Sequence, residues 1–567
     1  MFLSGLYNFW FPSLQAQNPA GLPEKFPEIQ VNVLDNPEPG YIFITPCGLW
    51  GNFPDATPYL AILDNYGTPV FYEELERPAF DFKLQPDGLL TFFDGGYGFL
   101  HQIMDSTYEI QSTAFINGYN GTDFHEYKVL ENGHQLLLGY EDRLVDMDTV
   151  VPGGQPGVTV RGTLIQEKDT NGIVIWEWSS WDHFKITEAD TNHIDLTDPS
   201  MIDYVHANAI EPDTDSSILI SCRSMHEVTR ISRVTGDVIW RMGGSQNEFS
   251  FIGDDTLGFS GQHDIRKLEN GNYLLFDNGW HHPEQVSSAY EFQIDEVNRT
   301  VTTVKRYRSQ PEDITGWIMG SSQRLPGGNT LVGWGSGVPN ITEFKPNGTK
   351  ALEFEFESVS YRAFKFPWKT NLISGNTDTL DFGEIHFENE AEQSFYVTNH
   401  YDSEIELTWM HSNTGKYHSM TDLPALIEPG DSLKLTIKFS PEEIGEFEDV
   451  LTVYAEKKNQ TKISAFSIQV GVNGLASEDA SVSHPYLTDI DVFPNPTEGI
   501  IKIKKTGSHQ LSYSLTNTIG IVILSGNIDQ NNHEFKFDIS AKAPGIYILR
   551  LVDELTGQSI VRRIIKQ

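Results

Sequence analysis

Four short segments place histidine or arginine among other polar residues, and such side chains can bind and attack an anionic group. A neutral imidazole is a nucleophile that can also leave, and arginine supplies a permanent charge with forked donors. Three of the segments carry a histidine shortly before a predicted β-hairpin. The four segments are Asp123-Phe124-His125-Glu126, Asp203-Tyr204-Val205-His206-Ala207-Asn208, Ser221-Cys222-Arg223-Ser224 and Ser260-Gly261-Gln262-His263-Asp264.

Two recurring phrases in residues 28–373 predict the scaffold that carries these segments. One is a turn plus strand, as in KDTNGIVIWEW, and the other is strand–turn–strand, as in YKVLENGHQLLLGYE. The Asp-Gly, Asn-Gly and Gly-Gly turns suit two-residue hairpins. Gly88 and Gly133 hold matching positions 45 residues apart. Repeats at this spacing are typical of four-stranded blades, so the sequence predicts an all-β chain that begins with a propeller of about six blades.

Equivalent positions on different blades point toward a common axis. His125, His206 and His263 are therefore expected to converge at one mouth of the central channel. The blade pattern is interrupted at 140–162 and 181–201 by polar, acidic, turn-rich inserts. These inserts are predicted to form loops over one face, where function usually lies.

Each candidate also has a purely structural interpretation. A single histidine at a blade edge most often bonds a neighbouring strand, and Arg223 alone fits an ordinary salt bridge. His281-His282-Pro283 is predicted to be a surface turn, and His183 and His193 are predicted to be solvated in the second insert. Three histidines and one arginine at repeat-equivalent positions are harder to explain structurally.

Composition excludes several classes of partner. The 567 residues carry a net charge of −40, which opposes binding to nucleic acid and to anionic membranes. An anionic substrate would need a local cationic cluster. The two cysteines, Cys47 and Cys222, form no CxxC pair, and HExxH is absent. We therefore expect no metal and no cofactor.

The N-terminus and membrane topology follow from hydrophobicity. Because no apolar run reaches 18 residues, no transmembrane segment is expected. Residues 1–27 begin with an apolar stretch that ends in a small-residue site. They are interpreted as an atypical signal peptide or an N-terminal arm.

The rest of the chain is predicted to be modular. Residues 374–475 alternate apolar and polar residues in about seven short strands, which indicates an immunoglobulin-like sandwich. Through LDFG and FSPEEIGEFEDVLTV this module resembles the flagellar and spindle-associated type of bacterial Ig-like modules. Residues 476–488 are a predicted linker. Residues 489–567, with VFPNPTEG, APGIYILRL and a basic tail, resemble the C-terminal sorting domain of the Bacteroidetes type IX secretion system, here as a small β-sandwich.

Those resemblances imply a secreted or cell-surface protein. The sorting domain implies a partnership with the type IX secretion machinery and export across the outer membrane. A second Ig-like module would explain the strands of this segment but not its set of phrases.

The propeller region resembles the bacterial arylsulfate sulfotransferases. The resemblance is carried by DYVHANAIEPDTDSSILISCRSMHEVTRISRVTGDVIWRMGG, FSGQHDIRKLENGNYLLFDNG and YRAFKFPW, and it covers roughly residues 38–370. It implies a six-bladed propeller and a ping-pong reaction that does not use PAPS. The sulfuryl group would pass from an aryl sulfate to a phenol through an active-site histidine.

The same resemblance implies roles for individual residues. His263 matches the nucleophile, His206 and Arg223 match sulfate-binding residues, and His125 matches an earlier histidine of the family in a local phrase that is only similar. Asn208 and Gln262 lie inside the motifs and are weaker candidates for substrate binding, which leaves the transfer chemistry to the first four.

Elementary chemistry agrees with these roles. Sulfuryl transfer needs a nucleophile that is neutral at working pH, and fixed cationic donors for the three equatorial oxygens. His206 or His125 could also move the phenol proton. The acidic protein tends to raise the pKa of histidine, whereas a nearby arginine and partial burial lower it. We expect the local effects to prevail at His263.

Two other functions fit parts of the sequence. A non-catalytic surface propeller could bind sulfated or otherwise anionic glycans, with the Ig module as a spacer. A quinoprotein-like oxidoreductase is a weaker alternative, based on GxVIWxW-like repeats, and it predicts cofactor absorbance in the purified protein.

Overall fold

The computed structural model describes residues 21–48, 55–96, 99–119, 121–213, 216–253, 258–458, 460–477, 490–506, 510–517, 522–555 and 559–566. These ranges consist of β-strands, turns and short 3-10 helices, and they confirm the all-β class. Within them, no helix is long and apolar enough to cross a membrane. Most of the predicted linker and the first 20 residues of the predicted signal segment lie outside the described residues. Phe26 is buried, with its ring 5.1 Å from that of Tyr59, so the described end of that segment packs against the strand Tyr59–Leu63.

Alternating apolar residues between glycine-containing turns form the strands of the first part of the chain. In chain order these are β1 (Gln30–Leu34), β2 (Tyr41–Ile44), β3 (Tyr59–Leu63), β4 (Pro69–Glu74), β5 (Ala79–Leu84), β6 (Leu90–Asp94), β7 (Leu100–Met104), β8 (Ile110–Ala114), β9 (Gly121–Val129), β10 (Gln135–Val145), β11 (Val158–Lys168), β12 (Val174–Ser179), β13 (Met201–Asp203), β14 (Ala207–Pro212), β15 (Ser217–Cys222), β16 (Glu227–Ser232), β17 (Val238–Gly243), β18 (Ser250–Ile252), β19 (His263–Lys267), β20 (Tyr273–Asp277), β21 (Ser288–Asp295), β22 (Thr300–Tyr307), β23 (Ser321–Arg324), β24 (Thr330–Gly333), β25 (Ile341–Phe344), β26 (Lys350–Glu355) and β27 (Ala363–Phe366).

Among the described residues, these strands form six sheets, five of them built from consecutive antiparallel strands. The orders are β5-β6-β7-β8, β9-β10-β11-β12, β14-β15-β16-β17, β19-β20-β21-β22 and β23-β24-β25-β26, with β13, β18 and β1 added to the second, fourth and fifth. The sixth has the order β27-β2-β3-β4. It joins the last strand of this part to the first, with Tyr41 opposite Phe366 and Ile44 opposite Ala363.

The first strands of successive sheets surround a common centre. β5 contacts β9, β9 contacts β14, β14 contacts β19, β19 contacts β23, β23 contacts β27, and β27 returns to β5. Residues at equivalent positions of these strands are therefore brought together across large separations in sequence.

The hairpins form at the predicted dipeptides, but the prediction of two-residue loops is wrong. Gln85 N–H donates to the Leu89 carbonyl and Gly88 N–H donates to the Gln85 carbonyl, so three residues lie between the paired ends. Gly88 has φ 83°, the left-handed position that closes a three-residue loop with a bulge. The turns at Gly133, Gly271 and Gly328 have the same hydrogen bonds.

The first predicted insert is partly strand. β10 and β11 remain paired from Gln135 opposite Lys168 to Val145 opposite Val158, and only the connection beyond them carries the 3-10 helix Met147–Thr149. The second insert contains the 3-10 helices Ser180–Asp182 and Ile186–Glu188.

The Ig-like module follows directly. Its strands are β28 (Ile373–Gly375), β29 (Thr379–His386), β30 (Ala391–Asn399), β31 (Ile405–Ser412), β32 (Tyr417–Ser419), β33 (Ala425–Ile427), β34 (Ser432–Phe439), β35 (Gly445–Lys457) and β36 (Ser464–Ser477). One sheet has the order β28-β30-β34-β32. The other, β36-β35-β31-β33, continues through β36 into β4, with Phe466 opposite Phe71. A single hydrophobic core therefore runs through both modules.

The C-terminal module has two sheets around a core of its own. Its strands are β37 (Ile490–Phe493), β38 (Ile500–Lys505), β39 (Leu511–Asn517), β40 (Val522–Ile528), β41 (Glu534–Asp538), β42 (Gly545–Asp553) and β43 (Ser559–Lys566). The orders are β37-β38-β41 and β40-β39-β42-β43. Ile501, Leu515 and Leu549 are fully buried between them.

Candidate functional site

Three neighbouring first strands bring the predicted histidines together. His125 lies within β9, His206 directly precedes β14, and His263 begins β19. The rings of His125 and His206 are 4.8 Å apart, edge to face. Both histidines act electrostatically on His263. The convergence that the repeat pattern predicts is therefore present in the fold.

Arg223 reaches the same place from the end of β15. It begins the 3-10 helix Arg223–Met225, and its backbone N–H donates to the carbonyl of His206 at 3.0 Å. Its Nη1 lies 3.2 Å from Nε2 of His206. Because arginine can only donate, Nε2 of His206 accepts this hydrogen bond. The guanidinium also stacks over the Trp280 ring, with 4.7 Å from Cζ to the ring centroid.

His263 is held in one tautomer by Asn278. Nδ2 of Asn278 donates to the carbonyls of Gly316, at 2.7 Å, and Met319, at 3.1 Å, so its Oδ1 faces His263. Oδ1 lies 2.8 Å from Nδ1 of His263. Since a carbonyl oxygen can only accept, Nδ1 carries the proton and Nε2 carries the lone pair. Nε2 is therefore the nucleophilic atom that His263 can offer.

The other two histidines are each held by an aspartate. Nδ1 of His206 lies 2.7 Å from Oδ2 of Asp203. Nδ1 of His125 lies 2.6 Å from Oδ1 of Asp123, which also accepts the His125 backbone N–H. A carboxylate at Nδ1 fixes the orientation of the ring and stabilises the imidazolium when it forms. His206 has already engaged its Nε2 with Arg223, whereas the His125 ring carries its Nε2 on the side away from Asp123.

Burial and Arg223 keep His263 neutral. Its side chain is almost completely buried, and this burial lowers the pKa of His263 well below its ordinary value. Arg223 lowers that pKa further, and the hydrogen bond that His263 donates to Asn278 opposes the shift. Burial also lowers the pKa of His206, with Asp203 acting against the shift and Arg223 adding to it. The direction agrees with the expectation that local effects prevail over the acidic surface.

Two buried donors at the site have no hydrogen-bond partner among the described residues. These are Nε of Arg223 and the hydroxyl of Tyr361. The Tyr361 ring lies 5.7 Å from that of His125, and Tyr361 interacts electrostatically with Arg223. Burial raises the pKa of Tyr361 well above its ordinary value, so the hydroxyl keeps its proton and acts as a donor. Buried donors are normally satisfied, so these two donors are available to oxygens of a ligand.

Asn208 and Gln262 each donate to a neighbouring segment, and Oδ1 of Asn208 and Oε1 of Gln262 are buried without a hydrogen-bond partner among the described residues. Nδ2 of Asn208 donates to the Gln262 carbonyl at 2.8 Å. Nε2 of Gln262 lies 3.0 Å from the Glu227 carbonyl and 3.2 Å from Oγ of Ser221. Both side chains are fully buried. The described contacts therefore give them a structural role, and substrate binding by them stays a prediction.

A buried ionic network lies next to the histidines. Arg362 bonds Asp81 at 2.7 Å and Glu126 at 3.1 Å, and its Nη2 donates to the Asn208 carbonyl at 2.6 Å. Three cations and three carboxylates form this network, which is balanced in charge: Lys83, Arg266, Arg362, Asp81, Glu126 and Asp264. Glu126 of the DFHE segment and Asp264 of the GQHD segment therefore belong to this buried ionic network.

Comparison with family models shows what this arrangement is similar to. Residues 82–357 match the arylsulfotransferase (ASST) family. The matched range contains His125, His206, Arg223, His263 and the supporting Asn278. The resemblance seen in the sequence is therefore confirmed, and these residues form an ASST domain.

The other two modules also match family models. Residues 371–468 match the HYDIN/CFA65/VesB-like Ig-like domain, and residues 491–567 match the secretion system C-terminal sorting domain. Both resemblances are confirmed. The sorting domain indicates export to the cell surface or secretion, and the ASST domain indicates small-molecule substrates.

Solved structures and curated proteins add no functional argument. The D0-D1 domain of intimin is 10% identical, with 34% of this chain and 96% of that chain covered and a TM-score of 0.19. A protein of unknown function from Porphyromonas gingivalis W83 is 12% identical, with 35% and 98% covered and a TM-score of 0.20. The ASH / PapD-like domain of human CEP192 is 13% identical, with 19% and 86% covered and a TM-score of 0.17. The comparison with curated proteins found no match.

Sequence reasoning missed two residues of the site. Asn278 stands in the quoted phrase FDNG and Tyr361 begins YRAFKFPW. Neither residue type marks catalysis. Asn278 directly follows β20 and Tyr361 precedes β27, and the only signal for them was their place in a recognised phrase. Cys47 and Cys222 are both free and buried.

Proposed function

We propose that the ASST domain transfers a sulfuryl group from an aryl sulfate to a phenol by a ping-pong reaction through a sulfo-histidine on His263. The observation that carries the proposal is the fixed tautomer of His263, whose Nε2 lone pair is set by Asn278. The neutral state of the ring, produced by burial and Arg223, supports it.

In the first half-reaction, Nε2 of His263 attacks the sulfur of the aryl sulfate. An N–S bond forms, the S–O bond to the aryl group breaks, and the phenolate leaves with the bonding pair. Arg223 and the Tyr361 hydroxyl donate to the sulfuryl oxygens, which gain charge as the bonds change.

In the second half-reaction, an acceptor phenol attacks the same sulfur and the N–S bond breaks. The pair returns to Nε2 of His263, and the phenol proton passes to Nε2 of His125, whose Nδ1 is backed by Asp123. That proton can then be given to the next departing phenolate. We assign this role to His125 rather than His206, because Nε2 of His206 already accepts from Arg223.

We also propose that the six sheets are the blades of a six-bladed propeller. The ring of contacts between first strands and the pairing of β27 with β2 support this arrangement. The sorting domain is proposed to direct the chain through the type IX secretion machinery to the cell surface.

The test uses the full chain with a chromogenic aryl sulfate and a phenol. We expect His263→Asn to reduce turnover by about 10⁴-fold, and the parent to gain the mass of one sulfuryl group on the peptide containing His263. His134→Asn, in the turn after β9, is the matched control. Equal turnover by parent and His263→Asn would refute the assignment. Tight sulfate binding without release of phenol would favour the glycan-binding alternative.

A further inference from the structure

Three histidines surround one carboxylate beside the proposed active site. Asp190 and His193 belong to the second insert, His226 ends the turn that carries Arg223, and His281 follows β20. The donor atoms of all four side chains lie within 4.8 Å of one another. His193 and His281 are exposed, as predicted for a solvated insert and a surface turn, but their side chains converge with two others.

One oxygen of Asp190 lies within hydrogen-bond distance of a nitrogen in all three imidazole rings. Oδ2 lies 2.5 Å from Nδ1 of His193, 2.8 Å from Nε2 of His226 and 3.1 Å from Nε2 of His281. The other oxygen, Oδ1, accepts from the backbone and side chain of Asn192. These bonds to Oδ1 hold the carboxylate with Oδ2 directed at the histidines.

His226 differs from the other two histidines. Its Nδ1 accepts the backbone N–H of Gly261 at 2.7 Å, so its proton is on Nε2, where it donates to Asp190. A histidine that binds a metal through Nε2 normally carries its proton on Nδ1. His226 therefore orients Asp190 and is not itself placed to be a ligand.

We propose that Asp190, His193 and His281 bind one divalent transition-metal ion, of which Zn²⁺ is the best match, with His226 orienting the carboxylate. Two imidazoles and a carboxylate are a common ligand set for this ion, and water completes a tetrahedron. The CxxC and HExxH motifs do not mark such a site, because its ligands come from segments far apart in sequence.

The distances from His193 and His281 to Oδ2 of Asp190 are compatible with a metal ion that replaces the protons of these two hydrogen bonds. Ligand bonds of about 2.0–2.2 Å place two tetrahedral ligand atoms about 3.3 Å apart. His193 and His281 now lie 2.5 and 3.1 Å from Oδ2. These two separations need to change by less than 1 Å, and the side chains of His193 and His281 are 25% and 41% exposed, so an ion can reach them.

A bound ion would link the insert to the turn that supports Arg223. His281 follows Trp280 in sequence, and the Trp280 ring contacts both the guanidinium of Arg223 and the ring of His193, at 4.7 and 4.5 Å. The ion would hold His193 and the residue after Trp280 together. The proposal stands on these contacts and does not depend on the sulfotransferase reaction.

The experiment titrates the metal-depleted full chain with Co²⁺, followed by absorbance, and with Zn²⁺, followed by calorimetry. We expect one ion per chain and a visible Co²⁺ spectrum of tetrahedral type. Asp190→Asn, His193→Ala and His281→Ala each weaken binding by roughly 100-fold or more. His226→Gln weakens it by about 10-fold, as expected for a residue that orients a ligand.

His183→Ala is the matched control, because His183 lies in the same insert and stacks on Trp178. It should bind both metals as the parent does. Circular dichroism confirms that each variant is folded. Absence of stoichiometric binding by the parent, or equal affinity in parent, Asp190→Asn and His193→Ala, overturns the proposal. A loss in His226→Gln as large as in His193→Ala overturns the role given to His226.

Discussion

Oδ1 of Asn278 lies 2.8 Å from Nδ1 of His263, and the orientation of the amide is fixed by two backbone carbonyls. Replacing Asn278 with alanine removes the acceptor that selects the tautomer. We expect kcat/KM with an aryl sulfate to fall by about 10²–10⁴-fold, because the lone pair is no longer held on Nε2.

Asn340→Ala is the control for that variant. Asn340 is equally buried and bonds the Ser358 carbonyl at 2.7 Å, but it is not in contact with the histidines. It should lower stability and leave kcat/KM near that of the parent. Slower labelling of His263 by the aryl sulfate in Asn278→Ala, at equal folded fraction, separates positioning from stability. Equal loss in both variants would contradict a positioning role.

The charge of Arg223 sets part of the pH dependence. Because Arg223 lowers the pKa of His263, Arg223→Gln should raise that pKa. Protonation removes the nucleophile, so the variant should lose activity at a higher pH than the parent as the pH falls. The midpoint of the acid limb in kcat/KM against pH measures this, independently of the overall loss of rate. Arg143→Gln, at an exposed arginine, should leave the midpoint unchanged.

The hydroxyl of Tyr361 should matter for activity and not for stability. It is buried without a hydrogen-bond partner in the described part of the chain. Tyr361→Phe therefore breaks no internal bond and should change the free energy of unfolding by less than about 0.5 kcal/mol. It should lower kcat/KM at least about 10-fold if the hydroxyl donates to the sulfuryl oxygens. Unchanged kcat/KM would remove Tyr361 from the site.

The buried network should be far more sensitive than a surface ion pair. Arg362→Met leaves Asp81 and Glu126 with an uncompensated charge in the interior, and should destabilise the protein by about 3–5 kcal/mol. Lys345→Met removes a pair of similar length with Asp35, but Asp35 is exposed, so the loss should be about 0–1 kcal/mol. Urea unfolding followed by tryptophan fluorescence gives both values, and similar values would contradict the argument.

The sheet shared by the first part and the Ig-like module should be cooperative. Phe466 is buried in β36 opposite Phe71 of β4. Phe466→Ala should destabilise by about 3–5 kcal/mol and increase hydrogen exchange in β4. Ile463→Ala, at a residue that is 52% exposed, is the control. Exchange in β4 that does not respond to Phe466→Ala would show that the modules unfold independently.

The sequence determined the local structure and the residue types of the site. Strand periodicity and glycine turns predicted hairpins because a strand alternates its faces every two residues and glycine tolerates a positive φ. The HAN and GQHD phrases identified His206 and His263. The module order followed from phrases long enough to be specific, and family models confirm it.

Only the tertiary structure decided which atoms lie together at the candidate site and which residues support them. The tautomer of His263 depends on Asn278, which follows the next strand, and Tyr361 comes to the histidines from the far end of the first part. Asp190 meets His226 and His281 only where an insert folds over two sheets. Such contacts join residues far apart in the chain, and their hydrogen bonds leave no periodic pattern in a single sequence. The pairing of β4 with β36 also depends on the tertiary structure, because the sequence of each strand predicts a strand but not its partner.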